Sequence, residues 1–277
     1  MWSKLGIRVL SAVVGSIIIL LLIFAPVWVF NLAISIACLL ALYELYMSFK
    51  QETKWQIVLL DYIAAIAIML TPFISFQGYQ KGIFTFILVA YLMLLLICSI
   101  VWNDRIKFYD VGTSFFMLIY AVLFLYHLTF IRQMENGVIL IFLPLLGAWM
   151  PDTFAYFTGK LCGRHKLIPS VSPNKTVEGS IGAVVGCVLM FMVYGLVIQF
   201  WVGGYTVSYP RLLLLALLCG VFAQFGDLAA SVIKRECHTK DFGNLIPGHG
   251  GILDRADSLI FVAPVVYYFL LFVPVIY

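Results

Sequence analysis

Two aspartates set into long apolar stretches, Asp152 and Asp227, are the first residues from which chemistry can be argued. An ionised side chain in hydrocarbon is costly, so it ordinarily faces a polar cavity and marks function. Asp152 precedes Lys160 by eight positions and Asp227 precedes Lys234 by seven. On helices rising 1.5 Å per residue these separations are about 12 and 10 Å, so both acids sit at a similar shallow depth below one surface. Asp227, Ser231 and Lys234 fall at i, i+4 and i+7 on one helix face, and Gln224 extends it outward. Asp152, Tyr156 and Gly159 repeat that spacing. A polar stripe with an acid at one end and a base at the other suits a metal and a phosphate. The competing reading is two unrelated acids, each paired with its own base or carbonyl.

Two polar segments, 160–179 and 234–257, adjoin these stripes and are dense in Gly, Pro, Lys, Asp and His. In the first, Lys175 offers a point charge, and Ser172 and Thr176 offer hydroxyls. A helix expected to begin near Gly179 presents free N–H groups that favour phosphate. The plain alternative is an ordinary loop with a capping Ser or Thr. The spacing is not that of a Walker A loop. In the second segment, Asp254 and Asp257 are three apart and share a face if a helix starts there. With Asp227 they provide oxygen ligands of the kind Mg²⁺ takes. Lys234, Arg235, Lys240 and Arg255 would offset the charge of a triphosphate. Gly248, Gly250 and Gly251 permit a turn tight enough to touch phosphate oxygens, and His249 is a candidate phosphate donor.

The elements that must position these residues are membrane helices. Of 277 residues, 64% are hydrophobic and only 11% charged, against about 25% charged in a soluble domain. A span needs about 20 mainly apolar residues. Nine such stretches predict helices over 7–24, 28–47, 55–74, 83–102, 111–131, 138–159, 180–201, 211–233 and 258–276. Alternating the loops across a bilayer puts 14 of the 17 Lys and Arg residues on one side. The positive-inside rule makes that side, and the amino terminus, cytoplasmic. The net charge of +4 reflects this asymmetry rather than nucleic-acid binding. The first stretch has the basic flank of a signal peptide but no A-x-A-like cleavage site, and reads as a retained helix. The six cysteines form no C-x-x-C pair and read as small buried hydrophobes. Residues 1–137 read as an amino-terminal scaffold with possible dimer contacts, and 138–277 as the catalytic region. Glu44 and Asp61, in the scaffold, read as local hydrogen-bonding residues, and His127 as a residue facing a neighbouring helix.

The run from Ser231 to Asp257 resembles the signature of phosphatidate cytidylyltransferases, the CDP-diacylglycerol synthases. It carries S-x-I-K-R, then K-D-x-G, then I-P-x-H-G-G-I-x-D-R-x-D. Ala256 departs from the pattern, where a larger apolar residue or Thr is usual, and bears on packing more than on chemistry. Ser172–Gly179 looks like the family's S-P-x-K-T-x-E-G element, and Asp152 stands where the family has an acid. The resemblance is strongest over 145–260. It implies an all-α polytopic membrane protein, often a homodimer, that joins CTP to phosphatidic acid with Mg²⁺. It also implies that Asp227 and Asp254 are the metal-binding acids. Asp257, Lys234, Arg235, Lys240, Asp241, His249 and Arg255 match the rest of the polar signature. A second cation beside Mg²⁺, a cytoplasmic-facing site and a bacterial inner membrane are further expectations. Two other readings of the residues stay open: a CTP-dependent polyprenol or phytol kinase, and an ion-coupled transporter using Asp152 and Asp227 as ion sites.

Overall fold

Long apolar runs in which every backbone polar group must be satisfied internally leave helices as the natural local structure. A computed structural model describes residues 4–49, 54–73 and 80–277, and in them nine main helices follow one another. They are α1 (Lys4–Phe24), α2 (Val27–Phe49), α3 (Trp55–Leu70), α4 (Gln80–Val101) and α5 (Phe108–Gln133). The carboxy-terminal half adds α6 (Gly137–Cys162), α7 (Val177–Val202), α8 (Tyr209–Glu236) and α9 (Leu253–Phe272). Seven of these are long and apolar enough to cross a membrane by length and composition, with α1 and α3 as shorter apolar segments. The protein is therefore an all-α polytopic membrane protein.

Three departures from the expected boundaries have local causes. Helix α3 stops at Leu70, and a 3₁₀ turn over Thr71–Phe73 follows, because Pro72 has no N–H to continue the ladder and the Thr71 N–H bonds the Ile68 carbonyl instead. Helix α9 starts at Leu253, five residues earlier than expected, and ends at Phe272. The last residues are extended instead: Val207 pairs with Ile276, and Thr206 and Tyr277 exchange backbone hydrogen bonds. Between α6 and α7 the chain forms a short antiparallel hairpin of β1 (Lys166–Ile168) and β2 (Ser172–Thr176), where a loop was expected.

Helix α5 is continuous but contains a π-helical stretch at Leu118–Leu123. Helix α6 packs along α7, α8 packs against α7 and α9, and α9 touches α5 and so joins the two halves of the chain. Small residues make the α6–α7 contact close: a Cβ on Gly182 would strike Thr158, and one on Gly186 would strike the Phe154 ring. Such stripes are how membrane helices pack without a hydrophobic drive between them.

Asp61 in α3 is buried and accepts hydrogen bonds from Tyr46 of α2, Tyr91 of α4 and Ser114 of α5. The expected hydrogen-bonding role holds, and its reach is wider than expected: one carboxylate ties four helices together. His127 is buried in α5, packed edge-on against Tyr267 of α9 with Nδ1 2.8 Å from the Leu123 carbonyl. The six cysteines are free; Cys38, Cys187, Cys219 and Cys237 are buried, Cys98 is partly buried and Cys162 is exposed.

Candidate active site

The carboxyl-terminal ends of α2, α6 and α8 converge on the amino-terminal ends of α7 and α9, and the site is built where they meet. Its frame is two buried acids. Glu44, 2% exposed on α2, accepts the backbone N–H groups of Ile252 and Leu253, each at 2.9 Å. These are among the N–H groups that a helix leaves unpaired at its start, and a carboxylate there also favours the helix dipole. Glu44 is therefore a hydrogen-bonding residue, as expected, but its partners lie 208 and 209 residues away in sequence, where it caps α9. Gly243 and Gly251 let the loop lie against it, since a Cβ at either would stand 2.6 or 2.3 Å from Glu44 Oε1.

Asp254, 5% exposed, organises the other side of the same loop. Its Oδ2 accepts from the N–H of Phe242 at 2.8 Å and of Gly251 at 3.0 Å, while Oδ1 takes the Lys234 ammonium at 3.1 Å. Lys234 in turn stands 5.3 Å from the centre of the Phe242 ring. The early start of α9 puts Asp254 and Asp257 in its first turns, as their spacing of three requires for a shared face.

A second group of acids lies beside this frame. Asp152 of α6, Asp227 of α8 and Asp257 of α9 are close enough to repel one another. Asp152 accepts a hydrogen bond from Ser258 at 3.3 Å, and Asp257 accepts the Ser258 N–H at 2.8 Å. Asp227 pairs with Lys175, which reaches it from β2. Asp152 keeps open surface beside these acids. Gly226 brings α8 against α9 at this level: a Cβ there would stand 2.7 Å from the Asp257 carbonyl oxygen. Asp152, Asp227, Asp254, Asp257, Lys175 and Lys234 thus form one site from three helices and a hairpin.

The remaining sequence-predicted residues distribute as follows. Thr176 caps α7, its hydroxyl accepting the Gly179 N–H at 3.1 Å, so the plain alternative holds for this hydroxyl. Ser172 is half-buried in β2, and Ser231 is half-buried on α8. His249 is tied through Nδ1 to the Ser11 hydroxyl of α1 at 2.8 Å. Gly250 takes a positive φ of 85°, the backbone freedom expected of this turn. Arg235 and Lys240 are exposed and, with His238 and Thr239, line a polar cleft of about 490 Å³ at the end of α8. Asp241 and Arg255 are exposed. Tyr156 is not drawn into the acid cluster: it is 62% exposed, packed on Phe157 and under Lys160. Gln224 spends its amide on Ser180 and Gly220, locking α8 to α7.

Sequence reading missed the part that two residues play in this arrangement. Glu44 grips backbone, so no side-chain motif announces it. Tyr120, in the π-helical stretch of α5, is 2% exposed and interacts electrostatically with Asp257, Asp227 and Asp254. Nothing in a run such as Leu-Ile-Tyr-Ala-Val-Leu marks it out.

The donor set fits a hard divalent cation, which prefers carboxylate oxygen. Several carboxylates converge where, among the described residues, Lys175 and Lys234 supply the direct ion pairs. Among the described residues no three His, Cys, Asp or Glu side chains are drawn together tightly enough to hold an ion by themselves. An ion here would therefore need further oxygens, from water, backbone or a phosphate.

The chain matches the cytidylyltransferase family over residues 6–273. It is similar to the phosphatidate cytidylyltransferase of Bacillus subtilis (strain 168), 35% identical over 271 residues covering 95% of this chain and 96% of that one. The phosphatidate cytidylyltransferase of Staphylococcus haemolyticus is 38% identical over 178 residues, 64% of this chain and 65% of its own. That of Thermotoga maritima is 40% identical over 150 residues, 54% of this chain and 55% of its own.

Proposed function

The chain belongs to the cytidylyltransferase family, and from that premise we propose that it is a phosphatidate cytidylyltransferase, making CDP-diacylglycerol and pyrophosphate from CTP and phosphatidic acid. One observation carries the reading at the level of residues: four aspartates meet two lysines where three helix ends and the hairpin converge.

A phosphate oxygen of the lipid attacks the α-phosphorus of CTP, and the bond from that phosphorus to the oxygen bridging to the β-phosphate breaks. The electron pair leaves with pyrophosphate. A phosphate monoester is already a nucleophile near neutral pH, so no strong protein base is required. What the protein supplies is position and charge. Lys175 and Lys234, paired with Asp227 and Asp254, exchange those partners for oxygens of the triphosphate and then of pyrophosphate. Arg235 and Lys240, on the cleft at the end of α8, attract the nucleotide from the aqueous side. His249, Asp241, Arg255 and the turn at Gly250 and Gly251 shape the loop that closes over it, and Ser172 and Ser231 offer hydroxyls at its edges. Asp227 and Asp254 would hold Mg²⁺, with Asp152 and Asp257 beside them for a second cation. When bound, such an ion neutralises phosphate charge and favours the displacement. Helix α9 holds Asp254 fixed through its cap, and the open surface at Asp152 admits a lipid headgroup from the side.

The same reading has all nine helices crossing the bilayer, the amino terminus and the site on the cytoplasmic face of a bacterial inner membrane, and a homodimeric assembly. The basic asymmetry of the loops supports the orientation. The decisive experiment uses the purified full chain with labelled CTP and phosphatidic acid, with Mg²⁺ or with chelator. A labelled CDP-lipid and pyrophosphate, both lost on chelation, are expected. A phosphorylated lipid with CDP would overturn the reading in favour of a lipid kinase.

A further inference from the structure

Most buried hydroxyls in this protein find a partner, although those of Tyr209 and Thr239, like that of Tyr120, have none among the described residues. Tyr46 and Tyr91 bond to Asp61, Tyr126 to the Met69 carbonyl, and Tyr194 to the Ile139 carbonyl. Tyr120 does not: its hydroxyl is buried with no hydrogen-bond partner among the described residues. A buried hydroxyl left unpaired loses its hydration without compensation, so the arrangement is unfavourable unless something else arrives.

Its surroundings say what. Tyr120 interacts electrostatically with Asp257, Asp227 and Asp254, three acids of the site. Each already has a partner: Asp227 has Lys175, Asp257 has the Ser258 N–H, and Asp254 has Lys234 and two backbone N–H groups. The Tyr120 ring is held in place by stacking on Phe116, 5.4 Å between centres and 16° between planes. It stands in the π-helical stretch Leu118–Leu123. Such a stretch inserts a residue into the helical turn and re-aims the side chains that follow, a device found frequently at functional sites.

From this we infer that Tyr120 is a substrate-binding residue, whose hydroxyl donates a hydrogen bond to a phosphate oxygen of a substrate held between the acids. A phosphate among carboxylates needs donors, and a neutral hydroxyl supplies one without consuming a lysine. The inference rests on the cytidylyltransferase reading and adds to it a contact from the amino-terminal half of the chain. The phosphate belongs either to the lipid or to the nucleotide.

The test is Tyr120→Phe in the full-length protein, which keeps the ring and its stack and removes only the unpaired oxygen. Thermal stability without substrate should be unchanged or slightly raised. Turnover efficiency should fall by about tenfold or more, and the thermal stabilisation that wild type gains from substrate should shrink. A raised KM for phosphatidic acid identifies the lipid phosphate, and a raised KM for CTP the nucleotide. A fall in kcat alone identifies the phosphoryl group in transfer. Wild-type kinetics in the variant, or a loss of activity that only tracks a loss of folded protein, would overturn the inference. Failure of wild type itself to form a CDP-lipid would instead refute the underlying reaction.

Discussion

Replacing Glu44 by Gln keeps the volume of the side chain and removes half of its grip on α9. The carboxylate accepts two N–H groups, from Ile252 and Leu253, both at 2.9 Å. An amide offers one oxygen, so one N–H is left facing an NH₂ group inside the protein. A hydrogen bond to a charged group is worth about 1.5–3 kcal/mol, and a stranded donor costs a similar amount. Loss of a negative charge at a helix start adds about 0.3–1 kcal/mol. Taken conservatively, the ordered loop is weakened by roughly 2–3 kcal/mol relative to a loosened one. At about 1.4 kcal/mol per decade, turnover should fall at least about tenfold, since Asp254 and Lys234 depend on that loop for position. Glu44 itself touches no substrate in this scheme, so limited proteolysis within 237–252 should rise in parallel with the loss. Glu44→Gln with turnover within twofold of wild type, and with unchanged cleavage of the loop, would refute the argument that this buried acid organises the site.

Three further outcomes follow from the geometry. Asp227→Asn and Asp254→Asn should each lose most activity while still inserting in the membrane, but only Asp254→Asn should also lower thermal stability, because Asp254 alone accepts two loop N–H groups; equal stability in the two variants would contradict this. Lys234→Ala should cut turnover at least about tenfold at both low and high salt, roughly 1.4 kcal/mol of barrier, whereas Lys107→Ala, on a residue whose ammonium bonds only the Asn103 carbonyl, should change it little; comparable effects would remove Lys234 from the nucleotide site. Single cysteines at positions 174 and 244 in a cysteine-free background should react in intact cells only with a membrane-permeant reagent; labelling by an impermeant one would invert the topology.

The sequence by itself determined the class of this protein and most of its elements. Apolar length is a one-dimensional quantity, and bilayer thickness converts it directly into helices. The residues of the polar signature were equally legible, because acids and bases at helical spacing in apolar surroundings are unusual wherever they occur. Tertiary structure alone decided which of them meet. That Lys175 of the hairpin pairs with Asp227, and that Asp152 joins Asp227 and Asp257 while Tyr156 turns away, depends on helix rotation and packing, which spacing along one helix does not encode. The hairpin at 166–176 escaped because its strands are short and polar, with no period-two alternation to read. Glu44, Asp61 and Tyr120 escaped for a deeper reason. The partners of Glu44 and Asp61 are backbone groups and hydroxyls on three other helices, and the Tyr120 hydroxyl has none among the described residues. An isolated acid or tyrosine in an apolar run carries no mark of which distant atom it will satisfy. Only the folded bundle, in which buried polar groups must find partners, assigns them.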